Sequence, residues 1–183
     1  MRNAGRIYEE LLVQQAQAGD RVAMDHLAEL RGPRLLIHAA RLLGDADAAR
    51  DVVQDAWIEI LRGLPGLREP RAFASWATRI ATRRVARYIK GRVSDRAVAK
   101  MLVQESEATE PEAGPAASDA RAVRAAIATL PPEQAATIAL FYLEDMSVAE
   151  VAIALDIPRG TVKTRLMHAR DKLKSALKGE DDA

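Results

Sequence analysis

Residues 147–177, SVAEVAIALDIPRGTVKTRLMHARDKLKSAL, restrict the fold more than any other stretch, because they read as two helices of unequal length meeting at a sharp turn. Val148, Val151, Ala152 and Leu155 recur at i, i+3, i+4 and i+7, which lays an apolar stripe along the first helix. Ser147 followed three residues later by Glu150 is the capping-box pattern, in which hydroxyl and carboxylate satisfy N–H groups that a helix start leaves unpaired. Asp156, Ile157 and Pro158 interrupt the period: aspartate tolerates the left-handed region better than most residues, and proline opens a helix but does not continue one. Val162, Leu166, Ala169, Leu173 and Leu177 form a second, longer stripe, and Arg159, Lys163, Thr164, Arg165 and Arg170 fall outside it. Residues 156–178 hold seven Lys or Arg against two Asp. A short helix, a tight turn and a longer basic helix predict a helix-turn-helix, whose second helix enters the major groove with its N-terminal residues toward base edges. Thr161, Lys163, Thr164 and Arg165 stand at that end, with Arg159 before them and His168 one turn beyond. A helical hairpin with an ordinary solvated basic face fits the same periodicity.

The rest of the chain predicts an all-α protein of two small domains. At 183 residues and 49% hydrophobic content, the chain has enough apolar surface for real cores but suits two small ones equally well. Absence of cysteine excludes disulfides and thiolate metal sites, and a reducing compartment is the comfortable reading. No run of eighteen apolar residues occurs and the first residues lack the apolar core of a signal peptide, so the expectation is a cytoplasmic protein without membrane insertion. Residues 8–18, 21–30 and 33–44 read as three packing helices, with Gly19, Asp20, Pro33 and Gly44 as stop and start signals. His26 and His38 lie in them without metal-ligand spacing and are expected to be structural or surface residues; no metal or cofactor is expected anywhere.

Residues 45–62, DADAARDVVQDAWIEILR, combine an apolar face (Val52, Val53, Ala56, Trp57, Ile60, Leu61) with Asp47, Asp51, Asp55 and Glu59 repeating every four residues. Like charges at that spacing cost a few tenths of a kcal/mol per pair, so such a row is either a solvated face or a site for a basic partner. Residues 63–70 contain two glycines and two prolines and read as a loop. Beyond it, residues 71–100 carry nine Lys or Arg and one Asp, the footprint of a polyanion partner, with Phe73, Trp76 and Tyr88 as candidate stacking platforms or core side chains. Residues 103–119 hold five acidic residues, two prolines and no Lys or Arg, a composition that cannot build a core and predicts a mobile linker. Periodicity resumes with Val123, Ile127 and Leu130, and Pro131 and Pro132 open a further helix.

Three of these stretches, DVVQDAW, FASWATRIATRRVARYIK and LPPEQ through HARDKL, together resemble the bacterial RNA polymerase sigma factors of the extracytoplasmic-function group. The resemblance implies a region-two-like domain at residues 1–92, an acidic flexible linker at 93–119 and a region-four-like helix-turn-helix domain at 120–178. It further implies that Asp51, Gln54, Asp55 and Glu59 bind the clamp coiled coil of the polymerase core. Leu64, Arg68, Arg71, Trp76, Arg79, Arg83, Arg84 and Arg87 would read and open the minus-ten promoter element. Arg159, Thr161, Lys163, Thr164, Arg165 and His168 would read the minus-thirty-five element, and an anti-sigma factor would be the regulatory partner. Two positions depart from the group's pattern: Asp156 replaces a glycine usual at the turn, and Arg83 an asparagine usual on the basic helix.

On the residues alone, a regulator that binds an operator through the C-terminal helix-turn-helix, with an N-terminal dimerisation or sensing domain, remains the alternative. It leaves the DVVQDAW helix and the basic segment after it without a task. An enzyme is the weakest reading, because no nucleophile and base pair, clustered metal ligands or glycine-rich phosphate loop is present.

Overall fold

The computed structural model describes residues 4–99 and 126–178, and the acidic segment expected to link the domains, at 100–119, lies outside the described residues. All regular elements among them are helical: α1 (Ala4–Gln17), α2 (Arg21–Leu43), α3 (Ala46–Gly63), α4 (Phe73–Ala99), α5 (Pro132–Tyr142), α6 (Val148–Leu155) and α7 (Arg159–Lys178). Two single 3₁₀ turns, Leu64–Gly66 and Pro70–Ala72, occupy what the glycines and prolines predict as a loop. Because α4 runs through Ala99, residues 93–99 continue a helix where the linker was expected to begin.

Helix ends follow the expected chemistry. Asp20 accepts hydrogen bonds from the N–H groups of Val22 and Ala23, and Asp45 from those of Asp47 and Ala48, each satisfying two groups that the first turn leaves unpaired. Gly44 ends α2 at φ 68°, a left-handed conformation that costs glycine nothing. The break expected at Pro33 does not occur, since α2 passes through it as one helix of 23 residues. Proline there removes a single bond to the Glu29 carbonyl, and Glu29, Pro33 and Arg34 lie on the exposed side of the helix. On the opposite side Leu27, Arg31, Leu35 and Ala39, four residues apart, stay aligned in the interior.

Two cores result. The first joins Leu12, Val13, Leu27, Leu35, Val52, Ile60, Phe73, Ile80 and Val85 from α1 to α4. Gly63 lies at its edge, where a Cβ would stand 2.9 Å from Cζ2 of Trp76 and the indole would have to shift. A second core joins Ile138, Leu140, Met146, Val151, Leu155, Val162 and Leu166. Helix α4 serves both, because its far side packs along α6 and places Ala74 in the second core.

Arg31 is the buried charge on which this packing turns. With its side chain 4% exposed, it donates from Nε to Oε1 of Glu9 at 2.8 Å and from Nη2 to Oε2 of the same carboxylate at 2.7 Å. Its Nη1 reaches Glu144, between α5 and α6, at 3.2 Å, so one guanidinium holds α1, α2 and the second half of the chain together. His38 makes a neutral counterpart. Thr82 Oγ faces the Ala154 carbonyl at 2.7 Å and the Thr78 carbonyl at 2.9 Å, so its single proton is given away and it accepts from Nε2 of His38 at 2.9 Å. His38 Nδ1 is therefore unprotonated, and it has no hydrogen-bond partner among the described residues. Burial, reinforced by the charge of Arg41, lowers the His38 pKa to about 4.

Two predictions follow from these groups. Glu9→Leu leaves the buried Arg31 charge poorly compensated and should lower the free energy of unfolding by about 3 kcal/mol, while Glu9→Leu with Arg31→Met should recover most of the loss. Urea unfolding of both variants checks this, and a double variant as unstable as the single one contradicts it. For His38, a folded pKa below the ordinary 6.5 means that its stabilising contribution is complete above pH 6.5 and lost as pH falls toward about 4. At pH 5 the loss should reach about 2 kcal/mol relative to pH 7. His38→Gln, which retains a donor for Thr82, should flatten this dependence; an equal slope in both proteins would show that another group titrates.

Candidate functional site

On α3, the period that buries Val52, Val53, Ala56 and Ile60 turns Asp51, Gln54 and Asp55 into solvent. Glu59, expected on the same outward row, is only partly exposed and accepts from Nε of Arg84 at 3.0 Å. Arg84 also approaches Asp55 at 3.5 Å, and Arg87 approaches Glu59 at 3.9 Å. The acidic row and the basic helix, well separated in the sequence, thus lie side by side across a cleft of about 500 Å³ lined by Asp51, Gln54, Asp55, Arg84, Arg87 and Tyr88. Of the four acidic-row candidates, three present open polar groups and Glu59 instead holds Arg84 in place.

The loop and α4 divide the minus-ten candidates differently from expectation. Leu64 is 2% exposed and packs in the first core, so its side chain cannot reach a base; its carbonyl accepts from Gln17 Nε2 at 2.9 Å. Phe73 is fully buried, which removes it as a stacking platform, and Trp76 is half-buried beside Gly63. Arg68, Arg71, Arg83 and Arg87 are exposed, with Arg71 paired to Glu69 at 2.8 Å. Arg79 and Arg83, one helical turn apart, both point to Asp156 in the second half.

In the helix-turn-helix, Ser147 Oγ accepts from the Glu150 N–H and the Glu150 carboxylate accepts from the Ser147 N–H, completing the box. Burial works to raise the Glu150 pKa, but the Ser147 hydrogen bonds and the Arg6 guanidinium at 3.1 Å outweigh it and hold the carboxyl below its ordinary value. Asp156 closes α6 at φ 57°, the left-handed conformation that its place in the sequence predicts. Its pKa is lowered chiefly by the hydrogen bond from Arg83, against some opposing desolvation, and further by Arg79. At the start of α7, Val162 and Leu166 are buried, whereas Arg159, Lys163, Thr164 and His168 are exposed and Thr161 is half-buried. Arg165 differs: its side chain is 22% exposed and its guanidinium is paired with Glu133 of α5, so the readily available contacts on this helix are the other five.

Sequence reasoning missed Glu133, Glu144 and Glu150 as partners for these arginines, along with the double engagement of Asp156. Their pairs span 32 to 144 residues, and no local pattern could announce them. Among the described residues no cluster of metal-ligating side chains occurs and no helix is long and apolar enough to cross a membrane.

Comparisons with known proteins match two separate stretches of the chain. Residues 27–94 match the family Sigma-70 region 2 and residues 120–173 match Sigma-70, region 4. The RNA polymerase sigma-H factor of Pseudomonas aeruginosa is 28% identical over 180 residues, covering 92% of this chain and 93% of that protein. The ECF RNA polymerase sigma factor SigW of Bacillus subtilis is 26% identical over 177 residues, with 91% and 95% covered. Escherichia coli K12 sigma-E, also an ECF RNA polymerase sigma factor, is 28% identical over 179 residues, with 92% and 93% covered. Among solved structures, the fold is shared by the sigma factor RpoE in complex with the anti-sigma factor NepR from Bartonella quintana, at TM-score 0.68 and 23% identity over 85% of this chain and 96% of that one. CnrH in complex with the cytosolic domain of CnrY shares it at TM-score 0.60 and 24% identity, over 94% and 98%. With both conserved regions matched in order and relatives of nearly equal length, the chain belongs to the RNA polymerase sigma factors of the sigma-70 family, in the extracytoplasmic-function group, and is a transcription initiation factor.

Proposed function

We propose a division of labour in which the first domain, expected at residues 1–92 and prolonged by α4 to Ala99, binds the polymerase core and opens the minus-ten element, the rest of the segment to residue 119 acts as linker, and residues 120–178 bind the minus-thirty-five element. What supports it is the exposed polar ridge Asp51, Gln54 and Asp55 on α3, which stands beside the arginines of α4. A carboxylate row suits a basic partner, and a neighbouring row of guanidinium groups suits phosphates, so core and melted DNA would be held on adjacent faces of one domain. Arg68, Arg71, Arg83 and Arg87 supply the phosphate contacts, and Lys163, Thr164, Thr161, Arg159 and His168 supply those of the second domain. Arg79, Arg84 and Arg165 join them only after leaving their carboxylate partners.

The protein carries out no reaction itself in this reading; RNA synthesis belongs to the polymerase, in the cytoplasm. The operator-binding alternative assigns nothing to residues 27–94, which match the Sigma-70 region 2 family. An anti-sigma factor fits as the regulatory partner, since both structural relatives were captured with a second protein and one of these is named an anti-sigma factor.

Replacing Asp51 and Asp55 with Lys should weaken binding to polymerase core at least about tenfold, equivalent to about 1.4 kcal/mol. Melting temperature and helicity should stay near wild type, because exposed charges contribute little to folding. Fluorescence titration with core measures the affinity. Undiminished binding would remove this face from the interface.

A further inference from the structure

Helix α7 keeps its core contacts on one side: Val162, Leu166 and Ala169 are buried in the second core and Leu173 packs at its edge. Among its described side chains one large apolar residue stays outside that stripe, Met167, which is 52% exposed. At 3.6 residues per turn, Met167 stands one turn beyond Lys163 and Thr164 and next to His168, and all three are exposed. It therefore lies in the middle of the face that the minus-thirty-five reading turns toward DNA. Residues 159–170 contain no acidic side chain, so the apolar group is set among cationic and polar neighbours rather than the mixed charges of an ordinary solvated face.

Thr164 adds to the same patch. Its Oγ1 donates to the Gly160 carbonyl at 3.1 Å, so the hydroxyl proton is committed within the helix. What remains for a partner is an acceptor lone pair and the Cγ2 methyl. Lys163 and Arg159 bring charge, which suits phosphates and by itself carries no sequence information. Selection of a base needs contact with its edge, and the major groove offers one methyl group, at C5 of thymine, among hydrogen-bond donors and acceptors. Methionine, unbranched and with a polarizable sulfur, adjusts to such a methyl without a rigid fit.

We propose that Met167 reads a thymine of the minus-thirty-five element, its thioether end packing on the C5-methyl with the Thr164 methyl beside it. The inference rests on the proposed binding of that element by α7, and adds the contact that distinguishes a thymine at one position from the other bases. Burial of a single methyl is worth about fourfold in affinity.

The test uses polymerase core loaded with the full chain. Duplexes captured by this holoenzyme from a randomised pool define the element, and each of its thymines is then replaced in turn by deoxyuridine, which deletes the C5-methyl and leaves the hydrogen-bonding groups in place. Wild type should lose about fourfold in affinity at one thymine. Met167→Ala should bind the thymine duplex about fourfold more weakly and be indifferent to that replacement. Its melting temperature should stay unchanged, because the side chain lies outside the core. Met167→Leu, which keeps an apolar end of similar size, should retain most of the response. A wild-type protein for which no thymine methyl matters, or an equal response in Met167→Ala, would overturn the assignment. So would a Met167→Ala variant that loses affinity for core while the methyl response persists, since an apolar protein surface would then cover this residue. Lys163→Ala separates the underlying reading: it should weaken all duplexes alike and reduce the salt dependence. If it does so while Met167→Ala changes nothing, α7 still binds the element and only the methyl contact fails. If neither variant alters DNA binding, α7 does not hold the element and both readings fall.

Discussion

Arg31 can neither lose its charge nor reach water, and the arrangement of the chain depends on how that constraint is met. A buried guanidinium needs several acceptors at once, which Glu9 and Glu144 supply from elements 22 and 113 residues away. Meeting it fixes α1 against α2 and brings the turn before the helix-turn-helix onto the first domain. The remaining arginine and carboxylate pairs between the halves extend the same logic outward into progressively more exposed positions, ending at Asp156. The contact is therefore graded from a buried anchor to a loose rim.

Opposite charge also organises the working surfaces. Arg84 bridges the acidic ridge of α3 and the basic face of α4 through Glu59 and Asp55, so the two faces share one electrostatic neighbourhood. Arg165 is held by Glu133 in the same manner. Arg79, Arg84 and Arg165 are satisfied by carboxylates of the chain itself, and in the proposed function an external anion would take the place of each carboxylate. Such exchange favours binding that is specific in geometry and sensitive to salt.

Much of the fold was legible in the sequence because local rules decide it. Ser147 with Glu150, Asp20, Asp45, Gly44 and the aspartate at the turn all act within a few residues of themselves, and each end is where those residues place it. Pro33 misled because its effect depends on what the opposite face buries: Leu27, Arg31, Leu35 and Ala39 hold the helix across it. Leu64 and Glu59 misled for a related reason. A loop leucine and a helix carboxylate carry no mark of being buried or paired, and only the approach of α1 to the loop and of α4 to α3 decides their state. The contact between the halves was wholly illegible, as its pairs join residues far apart in the chain.

The central claim is that charge, rather than apolar burial, holds the two domains of the free chain together. Small-angle scattering of the full chain as sodium chloride rises from about 0.05 M to 1 M tests it, since screening lengths shrink from more than about 10 Å to about 3 Å over that range. The account predicts a radius of gyration near that of a single compact body at low salt, about 16 Å for a chain of 183 residues. It should grow by several ångströms at high salt while circular dichroism shows helicity unchanged. A radius that stays constant across the series would mean that apolar packing holds the halves, and would contradict the account.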